Sequence, residues 1–334
     1  MSSLRPPYYT LGGLLIILLI LAVGAANTGA LTLSLRTLWQ TPLSDPLWHI
    51  WLHIRLPRVL LAILVGGALA LSGAVMQGLF RNPLADPGLL GISSGAALCV
   101  ALTLVLPLGL PPLLALYSPM FAAFIGSLTI TAFIFAINRS GNGGLARLLL
   151  AGIALNALCI AAIGVLIYIS NDQQLRQFSL WTMGSLGQAQ WPMLLVAASL
   201  ILPAMLLIQR QARRLNLMQL GDEEAHYLGV NVALTRRILL LLSALLVGCA
   251  VAVSGVIGFI GLVIPHLIRM RIGADHRWLL PGAILSGAGL LLGADTLART
   301  LLAPAEMPVG LLTSLLGGPY FLWLILQYKG YGDE

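Results

Sequence analysis

Long apolar runs, punctuated by short clusters of arginine, proline and glycine, fill this chain from end to end. The runs predict helices near 11–30, 57–79, 90–108, 114–137, 145–169, 191–208, 237–257, 258–272, 279–298 and 309–327. Most reach the roughly 20 apolar residues that a helix needs to cross a bilayer, and all exceed a membrane barrel strand of about 9–11. Inside lipid only helices and closed barrels satisfy their own backbone groups, so helices are the expectation. Arg5 precedes the first run as it would in a cleaved signal. Signal cores span roughly 7–15 residues, whereas this one continues to about Leu31, which predicts an uncleaved first helix.

Residues 238–268 are the hard case, because 31 positions pass without an Asp, Glu, Lys or Arg. Arg236 and Arg237 lie before that run and Arg269, Arg271 and Arg277 after it. Positive charge favours the cytoplasmic side, so both ends belong there and the chain must turn back. Gly255, Gly258 and Gly261 mark the expected turn, and the second arm is then a short helix. The result is a single all-α membrane domain over 1–334, with about ten transmembrane helices and both termini cytoplasmic. In that topology Arg36, Arg55, Arg58, Arg176 and Arg299 face outward, and the other thirteen of the 18 basic residues face inward, Arg81, Arg139 and Lys329 among them.

An internal repeat agrees with this count. LVGGALALSG (64–73) matches LVGCAVAVSG (246–255) at seven of ten positions, and Pro83 and Pro265 keep the same offset. The two strings fall on predicted helices two and seven, which run in opposite directions. Helices 2–5 and 7–10 therefore read as an inverted repeat, a device that builds two-sided pathways in transporters.

Composition confirms the class. The 334 residues are 59% hydrophobic and 9% charged, with mean hydropathy +0.95, against roughly 25% charged in a soluble domain. The 36 glycines suit closely packed helices, with Gly289 and Gly293 four apart as one expected contact stripe. Cys99, Cys159 and Cys249 lie in apolar runs without metal-ligand spacing and read as buried small hydrophobes. The basic residues are scattered among hydrophobic segments, which argues against nucleic acid.

The least ordinary wording is RNPLADPGLLG at 81–91, with SGAVMQGLF (72–80) before it and GISSGA (91–96) after. With RLLLAGIAL (147–155), WTMGSL (181–186), LGDEEAHYLGV (220–230), SGVIGFIGLVIPHLIR (254–269), ADTLAR (294–299) and PAEMPVGLLTSLLGGPYF (304–321), it resembles the permease subunits of bacterial ABC importers for iron-siderophores, haem and cobalamin. The wording over about 55–325 looks closest to the haem importers of Gram-negative bacteria. The resemblance implies a homodimer in the bacterial inner membrane, two cytoplasmic ATPase subunits carrying ATP and magnesium, and a periplasmic binding protein that delivers substrate. A phosphate-binding P-loop needs a lysine in a Gly-rich loop, and the only lysine, Lys329, is in the tail. ATP hydrolysis is thus assigned to a partner, and no cofactor or metal to this chain.

By the resemblance, the polar stretch 209–237 couples to the ATPase. Asp222 after Gly221, with Glu223 beside it, is expected to cap a short helix that ends at Gly229 and presents Leu220, Ala225 and Leu228 to a groove. Arg55, Arg58 and Arg299 match the family's docking arginines for acidic residues on the binding protein; the alternative is that they simply snorkel at helix ends. The path is implied along 145–187, where Asn156 and Tyr168 either line it or bond a neighbouring helix, with a gate at Gly144, Leu145 and Ala146 closed by packing. Arg176 either steers a haem propionate or orients its loop. Haem is the expected cargo, with ferric siderophore and cobalamin as alternatives.

Two other classes compete. An intramembrane hydrolase would explain Gly91-Ile92-Ser93-Ser94-Gly95, but that motif needs a strand before it. An ion-coupled carrier would need ionisable residues within the membrane, where only Asp295 is expected, in an ion pair with Arg299 four residues on. His49 and His53 are also four apart, yet no glutamate follows His49, and WHIWLHI reads as an interfacial lead-in.

Overall fold

The computed structural model of the chain describes residues 7–29, 42, 45–106, 109, 111–137, 145–302 and 305–328. Arg5, Arg36, Arg139, Gly144 and Lys329 lie outside them, and so do the side chains of Leu145 and Ala146. The helices are α1 Pro7–Asn27, α2 Pro46–Ile50, α3 Leu56–Phe80, α4 Ile92–Val105, α5 Pro112–Ile137, α6 Leu145–Ile169, α7 Asp172–Thr182, α8 Trp191–Arg210, α9 Ala212–Met218, α10 Asp222–Tyr227, α11 Val232–Ser254, α12 Ile260–Ile272, α13 His276–Leu301 and α14 Val309–Tyr328. No strand occurs among the described residues.

Each of the ten predicted spans coincides with one helix: α1, α3, α4, α5, α6, α8, α11, α12, α13 and α14. Seven have the length and apolar composition to cross a membrane unaided, and α4, α12 and the described apolar part of α14 are shorter. The Trp-rich lead-in is more than an interfacial strip. α2 passes through a π-helical turn, Trp51–Arg55, straight into α3.

The expected turn between α11 and α12 is present. α11 ends at Ser254, Gly255 takes φ +68, and α12 begins at Ile260 after Phe259, itself at φ +68. A 13-residue helix rises only about 20 Å, short of the roughly 30 Å hydrocarbon layer. The 255–259 backbone therefore lies within the apolar layer, where irregular chain survives only if protein buries it. The C-terminus of α7 and the N-terminus of α14 do so. Ser185 N donates to the Ser254 carbonyl at 2.8 Å and Gly310 N to the Gly184 carbonyl at 3.4 Å. A Cβ on Gly255 would stand 2.2 Å from the Trp181 carbonyl oxygen.

α3 is the axis of the packing, with 21 of its 25 residues buried. It is crossed at glycines, but not at Gly289 and Gly293. Among the described residues nothing lies within 4 Å of a Cβ on Gly293, and at Gly289 only Leu21 approaches, at 3.9 Å. The close crossings are Gly66 on Gly287 and Gly73 on Gly261, where an added Cβ would reach the opposite carbonyl oxygen at 2.3 and 1.8 Å. Small residues let backbones approach in this way when no hydrophobic effect drives helices together. The repeated strings lie in α3 and at the end of α11, two helices joined by Ser72 Oγ donating to the Ser243 carbonyl at 3.3 Å. They end differently: Gly73 stays helical and α3 runs on to Phe80, whereas Gly255 breaks α11.

The RNPLADP turn closes α3 with paired bonds, Arg81 N to the Gly78 carbonyl and Asn82 N to the Gln77 carbonyl. Arg81 sits at φ 49, left-handed backbone that normally takes glycine at this position and costs another residue about 1–2 kcal/mol. Asp86 Oδ1 accepts from Gly88 N at 2.7 Å and caps the 3-10 turn Pro87–Leu90. Ser93 and Ser94 then open α4 with a turn before them instead of a strand, so the hydrolase motif lacks its context.

Candidate functional site: charge networks at the two ends of α3

Arg58 stands in the first turn of α3 and is turned inward. Its Nε donates to Asp295 Oδ2 at 3.0 Å, its Nη2 to Asp295 Oδ1 at 3.0 Å, and its Nη1 to Glu306 Oε2 at 2.9 Å. The Asp295 side chain is 1% exposed and that of Glu306 52%. Asp295 also attracts Arg299 one turn along α13, at 3.5 Å from Nε, so the expected helical pair is only part of a larger network. Arg299 Nη2 donates to the Ala25 carbonyl at 2.8 Å, and Arg55 Nη1 to the carbonyls of Ala26 and Asn27 at 3.2 and 2.9 Å. The last carbonyls of a helix have no partners within it and carry the negative end of its dipole. Two arginines satisfy those of α1. All three arginines are thus buried rather than snorkelling, and they tie α1, α3 and α13 together at one end of the molecule.

At the opposite end, the segment 209–237 forms α9 and α10. Here the expectation is corrected twice. Gly221, at φ +144, precedes α10, and Asp222 is its first residue, so the carboxylate does not cap the helix. It receives Arg81 Nη2 at 2.7 Å and Arg236 Nη2 at 2.5 Å instead. Ala225 is fully buried and cannot be presented to a partner. Exposed are Leu220 at 62%, Leu228 at 57% and Tyr227 at 86%, with Glu223 beside them. The exposure of Tyr227 and burial of Ala225 were not legible in the sequence, because a six-residue helix has too few positions to show which face is buried. Gly229 ends the helix at φ +83, with Val230 N donating to the Ala225 carbonyl.

Partial burial pushes the Asp222 carboxyl up, but Arg236 and then Arg81 outweigh it and hold the group below the ordinary carboxylate range. A lowered native pKa stabilises the charged pair above the unfolded value. The attraction is therefore complete above about pH 4 and is lost only as pH falls through the lowered value. α9 adds further ties. Arg81 Nε donates to the Met218 carbonyl at 3.0 Å, Gln219 Nε2 to the Gly78 carbonyl at 2.9 Å, and Asn216 Nδ2 to Asp275 Oδ1 at 2.6 Å. Its hydrogen bonds with Arg277 are the largest influence holding Asp275 far below the usual carboxylate range. The segment is thereby joined to α3, α11 and α13 at once.

A model of the FecCD transport family matches residues 14–327. The chain belongs to the FecCD transport family. Among relatives of this FecCD-family chain, the Hemin transport system permease protein HmuU of Yersinia pestis is 76% identical over 329 residues, 98% of each chain. The Vitamin B12 import system permease protein BtuC of Serratia proteamaculans is 41% identical over 319 residues, 93% of each. A solved structure described as an inward-facing metal-chelate type ABC transporter superposes with TM-score 0.85 at 38% identity, covering 95% of this chain and 98% of that one. The FecCD-family chain is therefore a multi-pass membrane permease of the ABC importer class.

The pathway residues are not gathered into one site. Asn156 is half-buried on α6, Tyr168 near its end is 91% exposed, and Arg176 is exposed on α7. α6 shows most of its apolar surface in the single chain, Leu150, Leu158 and Val165 included. Gln177, Leu180 and Trp181 of α7 line a cavity of about 390 Å³ together with Gln188, Met120, Met193 and Glu306. His49 and His53 stack with ring centroids 4.4 Å apart, both exposed. Among the described residues no cluster of three or more His, Cys, Asp or Glu has metal-binding geometry.

Proposed function

We propose that this chain is the membrane permease of an ATP-driven importer that carries haem from periplasm to cytoplasm. The observation that supports the cargo is 76% identity, over nearly the full length, to a permease named for hemin. Permeases named for vitamin B12 stand at 41–45%. Two copies form the translocation unit in the inner membrane, with termini and α10 on the cytoplasmic side. Two ATPase subunits hold ATP and magnesium, and a periplasmic binding protein delivers haem. The exposed apolar flank of α6 suits packing against a second copy, with Asn156 and Tyr168 beside the path and the gate at Gly144, Leu145 and Ala146. Arg176 stands at the mouth, where a guanidinium steers propionates without holding them.

Arg55, Arg58 and Arg299 are the docking residues of this reading. All three are buried in the single chain, so docking has a condition. The half-exposed Glu306 must yield Arg58 to a carboxylate of the binding protein. Growth tests the cargo. An iron-starved strain lacking this permease regains growth on haemin as sole iron source when the chain is restored. Rescue by ferric siderophore but not by haemin refutes the assignment, and Arg176→Ala is expected to slow haemin-dependent growth.

Leu220, Tyr227 and Leu228 form the contact with the ATPase, supported by their exposure on an otherwise polar segment. Leu228→Asp is expected to cost about 2 kcal/mol of subunit affinity, a roughly thirtyfold loss, with the permease still folded. Co-purification of permease and ATPase from membranes reads this out. Ala225→Glu, by contrast, buries a charge and lowers the melting temperature of the permease alone. Normal assembly of Leu228→Asp with the ATPase would place the contact elsewhere.

A further inference from the structure

The RNPLADP turn contains an arginine where the backbone favours glycine. Arg81 and Phe259 are the only non-glycine residues at positive φ among the described residues, and Arg81 closes α3 in the bond pattern that glycine ordinarily completes. What the side chain does there explains its presence. Its Nε reaches the Met218 carbonyl and its Nη2 the Asp222 carboxylate, while Gln219 Nε2 returns to the Gly78 carbonyl. Three bonds thus tie the last turn of α3 to residues 218–222, on either side of the start of α10. A pair this exposed, 42% and 47%, contributes little to stability. Its geometry, bridging two elements at two acceptors, serves position instead.

The other end of α3 is where the consequence lies. Arg58 stands about 34 Å away at 1.5 Å per residue, in the network with Asp295 and Glu306. Between the two arginines the helix is buried and jammed against backbone at Gly66 and Gly73. Packing of that kind moves as a unit between discrete arrangements rather than bending locally. We propose that Arg81 is the positioning residue that fastens the ATPase-contacting segment to α3, so that motion of α10 displaces α3 and reaches the Arg58–Glu306 contact at the periplasmic end. The inference rests on the coupling role of 218–229 proposed above.

Arg81→Gly separates this role from a structural one, because it removes the side chain and relieves the backbone at the same residue. The permease carrying it, assembled with ATPase and binding protein in lipid vesicles, is expected to melt no lower than wild type and to retain its ATPase subunits. ATP hydrolysis stimulated by haemin-loaded binding protein, and haemin uptake, fall by about tenfold, within the usual span of coupling between sites. Arg81→Lys, able to reach one acceptor but not both, falls between. Stimulation and uptake within twofold of wild type in Arg81→Gly would overturn the proposal, and so would loss of the ATPase subunits, which would make Arg81 part of the docking contact. The Leu228→Asp complex judges the underlying reading separately, because intact assembly there refutes the coupling segment whatever Arg81 does.

Discussion

Asp295→Ala is expected to destabilise the folded chain by about 3–5 kcal/mol, the range for removing one partner from a buried ion pair. Asp295 receives two nitrogens of Arg58 and attracts Arg299. Without it two nearly inaccessible guanidinium groups lose their shared carboxylate, leaving Arg58 to the half-exposed Glu306 and Arg299 to the uncharged Ala25 carbonyl. Burial within the protein makes the loss heavier, since Arg58 and Arg299 are only 7% and 6% exposed and little water can solvate the orphaned charges. Glu306→Gln removes a pair that is half in solvent and is expected to cost at most about 1 kcal/mol. Thermal unfolding of purified protein in detergent distinguishes the two. An Asp295→Ala variant that melts with wild type would show that the network contributes nothing to the fold. On the proposed docking reading, Glu306→Gln releases Arg58 Nη1 while Asp295 keeps Nε and Nη2, and is expected to strengthen binding-protein association.

Gly73→Ala is expected to reduce folded protein in the membrane severely, although it adds one methyl group. The Cβ would fall 1.8 Å from the Gly261 carbonyl oxygen, and that obstacle is backbone rather than a side chain that can turn aside. Overpacking of well-filled interiors costs about 1–3 kcal/mol and more where the backbone must move. Gly293→Ala is the control. Among the described residues nothing lies within 4 Å of its added carbon, so the expected result is a gain of about 0.5–1 kcal/mol from helix propensity. Melting temperature and membrane yield check both. Equal tolerance at the two positions would mean that the α3–α12 crossing is looser than described.

The helices were legible because the membrane imposes their period and length on every segment. Ten apolar runs between clusters of arginine, proline and glycine became ten helices, and the turn at Gly255 was readable from charge on both sides of a run too long for one span. The RNPLADP wording marked a special turn correctly, but its arginine could be read only as an orientation charge. Which glycines touch was not legible. Gly287 and Gly293 look alike in sequence, yet one meets Gly66 at backbone distance and the other meets no described residue within 4 Å. The rotation of α13 about its axis decides between them, and that depends on every helix packed around it.

Sequence alone therefore determined the class, the number and order of the spans, the family resemblance and the position of a polar segment between α8 and α11. These depend on properties that adjacent residues share: hydropathy, charge and turn chemistry along a short stretch. Tertiary structure alone decided that Arg58 is held by Asp295 and Glu306, 237 and 248 positions away, and that Asp222 joins Arg81 and Arg236 instead of capping its own helix. It also decided that Ala225 is buried while Tyr227 is exposed. A charge in an apolar environment takes whatever partner the packing brings within hydrogen-bond reach, and no local pattern records which helix end that will be.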